Sequence, residues 1–199
     1  MHFDPGNLYH IYNRGNNGRH LYDSREHYLY FLSKAHRYLK PRCDILAWCL
    51  LPGHFNFLVR ATDLSCAPVP KNVIPMQHLT EGIRLLLSSY TKGLNKQRQT
   101  TGNLFQQKTR TKWVQGGNDD DATRMFRYIH QLPLKSGFVA SIEGYEFCSF
   151  PDYVGKRNGT LCNRPLAYEL LHLNEATIYA DAYQLLSEEV VKTLLSKRV

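Results

Sequence analysis

The chain of 199 residues carries 25 Lys and Arg against 17 Asp and Glu, a formal net charge of +8. Hydrophobic residues make up 43% of it and aromatic residues 12%, which excludes a disordered chain. No apolar run approaches the ~18 residues of a membrane span, and Met1–Pro5 lacks the basic-then-apolar pattern of a secretory signal. The five cysteines show no C-x-x-C spacing, which argues against a zinc finger or a disulfide framework and for a reduced, cytoplasmic protein. The basic balance points to an anionic partner, nucleic acid first and a membrane surface second; no membrane partner is expected.

Taken in order, Leu8–Arg14 alternates enough to be a strand, broken by Gly15-Asn16-Asn17-Gly18. Ser24 is placed to cap a helix over Arg25–Lys40, whose Tyr28, Phe31, Leu32, Ala35 and Leu39 follow helical spacing up to Pro41. Cys43–Leu51 and His54–Arg60 read as two arms of a hairpin turning at Pro52-Gly53. Pro68, Pro70 and Pro75 mark a loop. Gln77–Gln97 is the longest predicted helix, with an apolar stripe of Leu79, Ile83, Leu86, Leu87 and Tyr90. Lys108–Gln115 reads as a strand, and Asp119–Leu132 as a helix capped by Asn118 or Asp119 and closed by Pro133. A single tail helix is predicted over Glu175–Lys197, packing on the domain or on a partner.

The order β-α-β-β-α-β-α predicts an α+β fold: a ferredoxin-like split βαβ sandwich with an antiparallel central sheet and a C-terminal helical extension. The sequence divides at 1–157 and 158–199.

The positive charge is local. Between Gly82 and Asn118 there is no Asp or Glu, and the window holds Arg84, Lys92, Lys96, Arg98, Lys108, Arg110 and Lys112. Lys108, Arg110 and Lys112 alternate along one strand and so share a side. Lys92 and Lys96 are four apart on a helix and also share one. Tyr90, Phe105 and Trp113 are interleaved with them. Cations among rings suit single-stranded nucleic acid, although each ring taken alone fits the core better than a base platform.

Two places carry residue types suited to chemistry. His54 and Asn56 lie two apart on a strand and share a face, so both can grip one hard cation while Phe55 enters the core. On the Asp119–Leu132 helix, Asp121, Arg124, Tyr128 and Gln131 fall on one polar side. A tyrosine attacks a phosphodiester only with help, since its phenol titrates near ~10; Arg124 and Arg127 are the nearby cations for the phosphate.

Five stretches, in order, resemble the single-tyrosine HUH transposases of the small insertion-sequence type, closest to the REP-associated tyrosine transposases of bacteria. They are YHIYNRGNNGRHLY, LAWCLLPGHFNFLV, LSSYTKGLNKQ with GNLFQQKTRTKWV, RYIHQLPLKSGFV and YEFCSFPDYVG, together spanning about residues 8 to 157. The resemblance implies a DNA-transposition and recombination activity on single-stranded DNA with hairpins. Tyr128 would be the nucleophile that forms a 5′-phosphotyrosine. His54 would hold Mg²⁺ or Mn²⁺. Arg14, Lys92, Lys96, Lys108, Arg110, Lys112, Arg124 and Arg127 would contact the DNA, bound by a monomer or a homodimer.

The chain departs from the family at the site itself. Gly53 stands where the family has Asn, Asn56 where it has the second His, and Leu132 where it has the Asn four residues after the tyrosine. Gln131, one position earlier, is the nearest substitute ligand, and any metal is expected to bind weakly. Two readings follow: a working transposase with a relaxed metal site, or a member that has lost cleavage and keeps hairpin binding. A basic RNA-binding module ranks below both, because its aromatic strand motif is missing.

Overall fold

A computed structural model describes residues 1–70, 75–114 and 121–196. Its strands are β1 (Leu8–Arg14), β2 (Asp44–Leu51), β3 (His54–Arg60) and β4 (Arg110–Val114). Its helices are α1 (Arg25–Tyr38), α2 (Asp63–Cys66), α3 (His78–Arg98), α4 (Asp121–Lys135), α5 (Phe150–Tyr153), α6 (Arg164–Leu170), α7 (Ile178–Tyr183) and α8 (Glu188–Ser196).

The strands form one sheet in the order β2-β3-β1-β4, every neighbour antiparallel. This is the predicted split βαβ arrangement: β3 lies between β1 and β2, so the two crossover connections interlock. Among the described residues, no helix is long and apolar enough to cross a membrane.

Strand alternation gives the sheet two apolar faces. Tyr9 and Ile11 of β1, Phe55, Phe57 and Val59 of β3, and Ile45, Trp48 and Leu50 of β2 meet Phe31 and Ala35 of α1 and Ile83, Leu86 and Tyr90 of α3. Leu8, Leu58, Val114, Cys49 and Leu51 face the other way, onto Ala122, Met125, Phe126 and Ile129 of α4. A bulge between Ile45 and Ala47 lets Leu46 and Ala47 both join this second layer. Tyr90 and Phe105, two of the candidate base platforms, are buried in the first layer, whereas Trp113 is 38% exposed.

Boundaries differ from expectation at the end of α4 and the start of β4. Pro133 does not close α4, which runs on to Lys135. Proline removes only one ladder bond, and the helix ends instead at Gly137, where φ is +71° and Phe138 N–H reaches the Pro133 carbonyl at 3.0 Å. The expected caps of α4, Asn118 and Asp119, and the last residue of the predicted β4, Gln115, lie outside the described residues. At the other end of β4, Thr109 precedes the strand with its hydroxyl accepting from Asn13 Nδ2 at 3.0 Å.

The tail is not one helix but several. The break between α7 and α8 has a cause: Gln184 O accepts from the Gln131 and Arg127 side chains, and Leu186 N–H donates to Gln131 Oε1. Those groups are withdrawn from any continuous helical ladder, and Ser187 Oγ then caps α8 through Val190 N–H. Leu171, Ile178, Ala182 and Leu194 of the tail enter the second apolar layer, so the tail docks on α4.

His130 lies fully buried in this layer, with Nε2 2.7 Å from Ser149 Oγ and its ring against Phe126, Phe150 and Tyr153. Burial pulls its pKa from 6.5 down to about 3. A depressed folded pKa means stability that is complete above 6.5 and is lost as pH falls toward 3. Between pH 7 and pH 5, His130 should remove about 2 kcal/mol from the unfolding free energy. Urea unfolding at both pH values checks this, and His130→Gln should remove that part of the pH dependence.

Candidate functional site

Register decides what meets on the α4 face of the sheet. Leu8, His10, Tyr12 and Arg14 of β1 face α4, as do His54, Asn56 and Leu58 of β3 and Arg110, Lys112 and Val114 of β4. Pairing aligns them in rows across the strands. One row is Cys49, Asn56, Tyr12 and Arg110; flanking it are Leu51, His54 and Arg14 on one side and Ala47, Leu58, His10 and Lys112 on the other.

The turn that presents His54 is tied down by the loop after β1. Gly15 N–H donates to Gly53 O at 2.8 Å and Leu21 N–H to Pro52 O at 2.7 Å. His54 is half-buried; burial lowers its pKa, and the Arg14 charge lowers it further. Its imidazole makes no hydrogen bond among the described residues.

Tyr128 sits over the Asn56 row. Its ring stands edge-on to His10 at 6.2 Å between centroids. Burial raises its phenol above the ordinary 10.0, and neighbouring Tyr12 and Cys49 raise it further. Its hydroxyl has no hydrogen-bond partner among the described residues. Tyr128 and His54, the nucleophile and ligand candidates, are therefore carried to adjacent rows of one face.

The other two ligand candidates are engaged elsewhere. Asn56 is 4% exposed, and its Oδ1 lies 2.9 Å from His10 Nε2. Gln131 is fully buried and holds the tail: Nε2 donates to Ala182 O and Gln184 O, both at 2.9 Å, and Oε1 accepts from Leu186 N–H at 3.1 Å. Leu132 is buried and apolar. Among the described residues no three His, Cys, Asp or Glu side chains cluster to hold a metal. One imidazole, an amide whose oxygen is already bonded and a glutamine turned to the tail are a poor donor set for Mg²⁺ or Mn²⁺.

His10 escaped the sequence reading. Its parity with Tyr12 and Arg14 was visible in Leu8–Arg14, but its meeting with Asn56 depends on the β1–β3 register, which no single segment carries.

The cations divide into two groups. Lys108, Arg110 and Lys112 line one groove with Tyr12, Gln106 and Trp113. Through Gln106, Gln107, Lys108 and Thr109 it continues into a second groove along α3, lined by Arg84 and Lys92. No acidic side chain lines either groove. Lys92, Lys96, Lys108 and Arg110 form no ion pair among the described residues, and Lys96 is exposed on α3 beyond the groove lining. Five other cations are restrained. Lys112 Nζ donates to Leu194 O and Arg127 to the Gln184 carbonyl, both in the tail. Arg124 pairs with Asp121 at 3.5 Å, and Arg84 with Glu81 at 3.7 Å. Arg98 bonds to Asp23, an acid from outside the acid-free window.

No family model matches the sequence, and neither does any curated protein. Among solved structures, the chain is similar to that of a REP-associated tyrosine transposase bound to a REP hairpin. The match has a TM-score of 0.57 at 16% identity and covers 81% of this chain and 86% of that one. The chain thus shares the fold of that transposase: a four-stranded antiparallel sheet between helical layers, with C-terminal helices added.

Proposed function

We propose that the chain binds single-stranded DNA carrying hairpins. The observation that carries this is the acid-free groove from Arg84 and Lys92 past Lys108 and Arg110 to Tyr12, which ends beside Tyr128. Phosphates would follow the Lys and Arg side chains, and Tyr12 and Trp113 offer ring faces to unpaired bases. The fold neighbour was solved with a REP hairpin bound, which supports the same substrate class. The test is fluorescence anisotropy with a labelled hairpin bearing a single-stranded flank, beside the blunt duplex of the same stem. The flanked hairpin should bind more tightly; equal affinity for both removes the single-strand assignment.

A second reading keeps strand cleavage and transfer. It is favoured by the open Tyr128 hydroxyl beside the His54 row. In it, Tyr128 Oη attacks phosphorus, the 3′-oxygen leaves as a hydroxyl, and the 5′-phosphate stays on the tyrosine. The phenol loses its proton in this step, and its raised pKa works against that. Arg14 and Arg110 lie in the rows that would face the phosphate charge. Labelled DNA should then form a denaturation-resistant adduct that Tyr128→Phe abolishes.

A further inference from the structure

Asn56 is turned by His10. A carboxamide oxygen only accepts hydrogen bonds, so at 2.9 Å the His10 Nε2 carries the proton and donates it to Asn56 Oδ1. His10 is 1% exposed and its ring is stacked on Tyr12 at 4.6 Å, so it has little freedom to release that oxygen. Asn56 Nδ2 is then left buried with hydrogens and no acceptor. An orphaned buried donor is costly, on the order of 1–3 kcal/mol, and natural structures keep few of them.

Around this atom the polar groups are of one kind. Arg14 is the cross-strand partner of His54, and Arg110 shares the row of Asn56 through Tyr12. Tyr128 adds an unengaged hydroxyl. A divalent cation here would find one imidazole lone pair beside a guanidinium. A phosphate oxygen would find an amide N–H, a hydroxyl and two guanidinium groups on one face.

We propose that the His54–Asn56 pair of this chain takes a phosphate oxygen directly instead of a divalent cation, with His10 as the positioning residue that fixes the Asn56 amide as donor. The inference rests on the DNA-binding reading for the source of the phosphate, but not for its rejection of metal.

Two measurements test it. Mn²⁺ titrated into the protein without DNA, followed by the EPR signal of free Mn²⁺, should show no saturable site up to millimolar metal. Asn56→His should create one. Hairpin affinity should be the same in EDTA as in Mn²⁺. His10→Leu should weaken it about tenfold, the scale of one hydrogen bond to a charged group. His10→Gln, which can still donate to Asn56, should restore most of the loss. Saturable Mn²⁺ binding by the unaltered protein, or loss of hairpin binding in EDTA, overturns the proposal. So does a His10→Gln variant as weak as His10→Leu although both fold. If no hairpin binds in either buffer, the DNA reading falls, and the Mn²⁺ titration still decides the clamp.

Discussion

Replacing Lys92, Lys108 and Arg110 with alanine should weaken hairpin binding about 50-fold near 0.15 M salt and take about 2 units off the slope of log K against log salt. Each phosphate contact on a single strand contributes roughly 0.7 to that slope through counterion release. Three contacts extrapolated from about 1 M salt to 0.15 M then amount to nearly two decades of affinity. These three are the right choice because they line the grooves and have no acidic partner among the described residues. Lys112→Ala and Arg127→Ala should change the slope less, since each already donates to a tail carbonyl. Anisotropy titrations across a salt series make the comparison. An unchanged slope in the triple variant would place the DNA elsewhere on the molecule.

That partition of cations was only half legible in the sequence. The acid-free window located the charge, and the alternation of Arg110 and Lys112 set both on one side, because strand parity is a local property. What tied down most of the others came from far along the chain. Asp23 reaches Arg98, and the carbonyls of Leu194 and Gln184 reach Lys112 and Arg127, whereas Glu81 holds Arg84 from one turn before it on the same helix.

The site divides in the same way. His54 and Tyr128 were named from their own strand and helix, and the sheet order was implied by the succession of elements. The partners of Asn56 and Gln131 were invisible, since His10 meets one only through the β1–β3 register and residues 182–186 meet the other only once the tail has docked. The tail break was missed for a related reason. Apolar spacing across Ala176–Leu194 fits one helix, but Gln131 draws the backbone groups of Gln184 and Leu186 out of it.

Gln131 therefore gives the sharpest division between a ligand and a structural residue. Gln131→Leu keeps the volume close and removes three hydrogen bonds to the tail. Ala182 is 3% exposed and its bond to Gln131 is buried, so its carbonyl has little access to water in place of the lost donor. Leu186 is half-buried, so its N–H recovers more of its loss from solvent than the Ala182 carbonyl does. Counting about 1 kcal/mol per lost bond and the larger penalty for the buried carbonyl, the variant should lose roughly 2–4 kcal/mol of stability. With a urea dependence of about 1–3 kcal/mol per molar, the unfolding midpoint should drop by about 1–2 M. Limited proteolysis should also cut earlier within residues 184–187, because the segment between α7 and α8 keeps its fixed path through Gln131. A ligand role predicts the reverse pattern: Mn²⁺-dependent behaviour would change while the urea midpoint and the cleavage pattern stayed where they were.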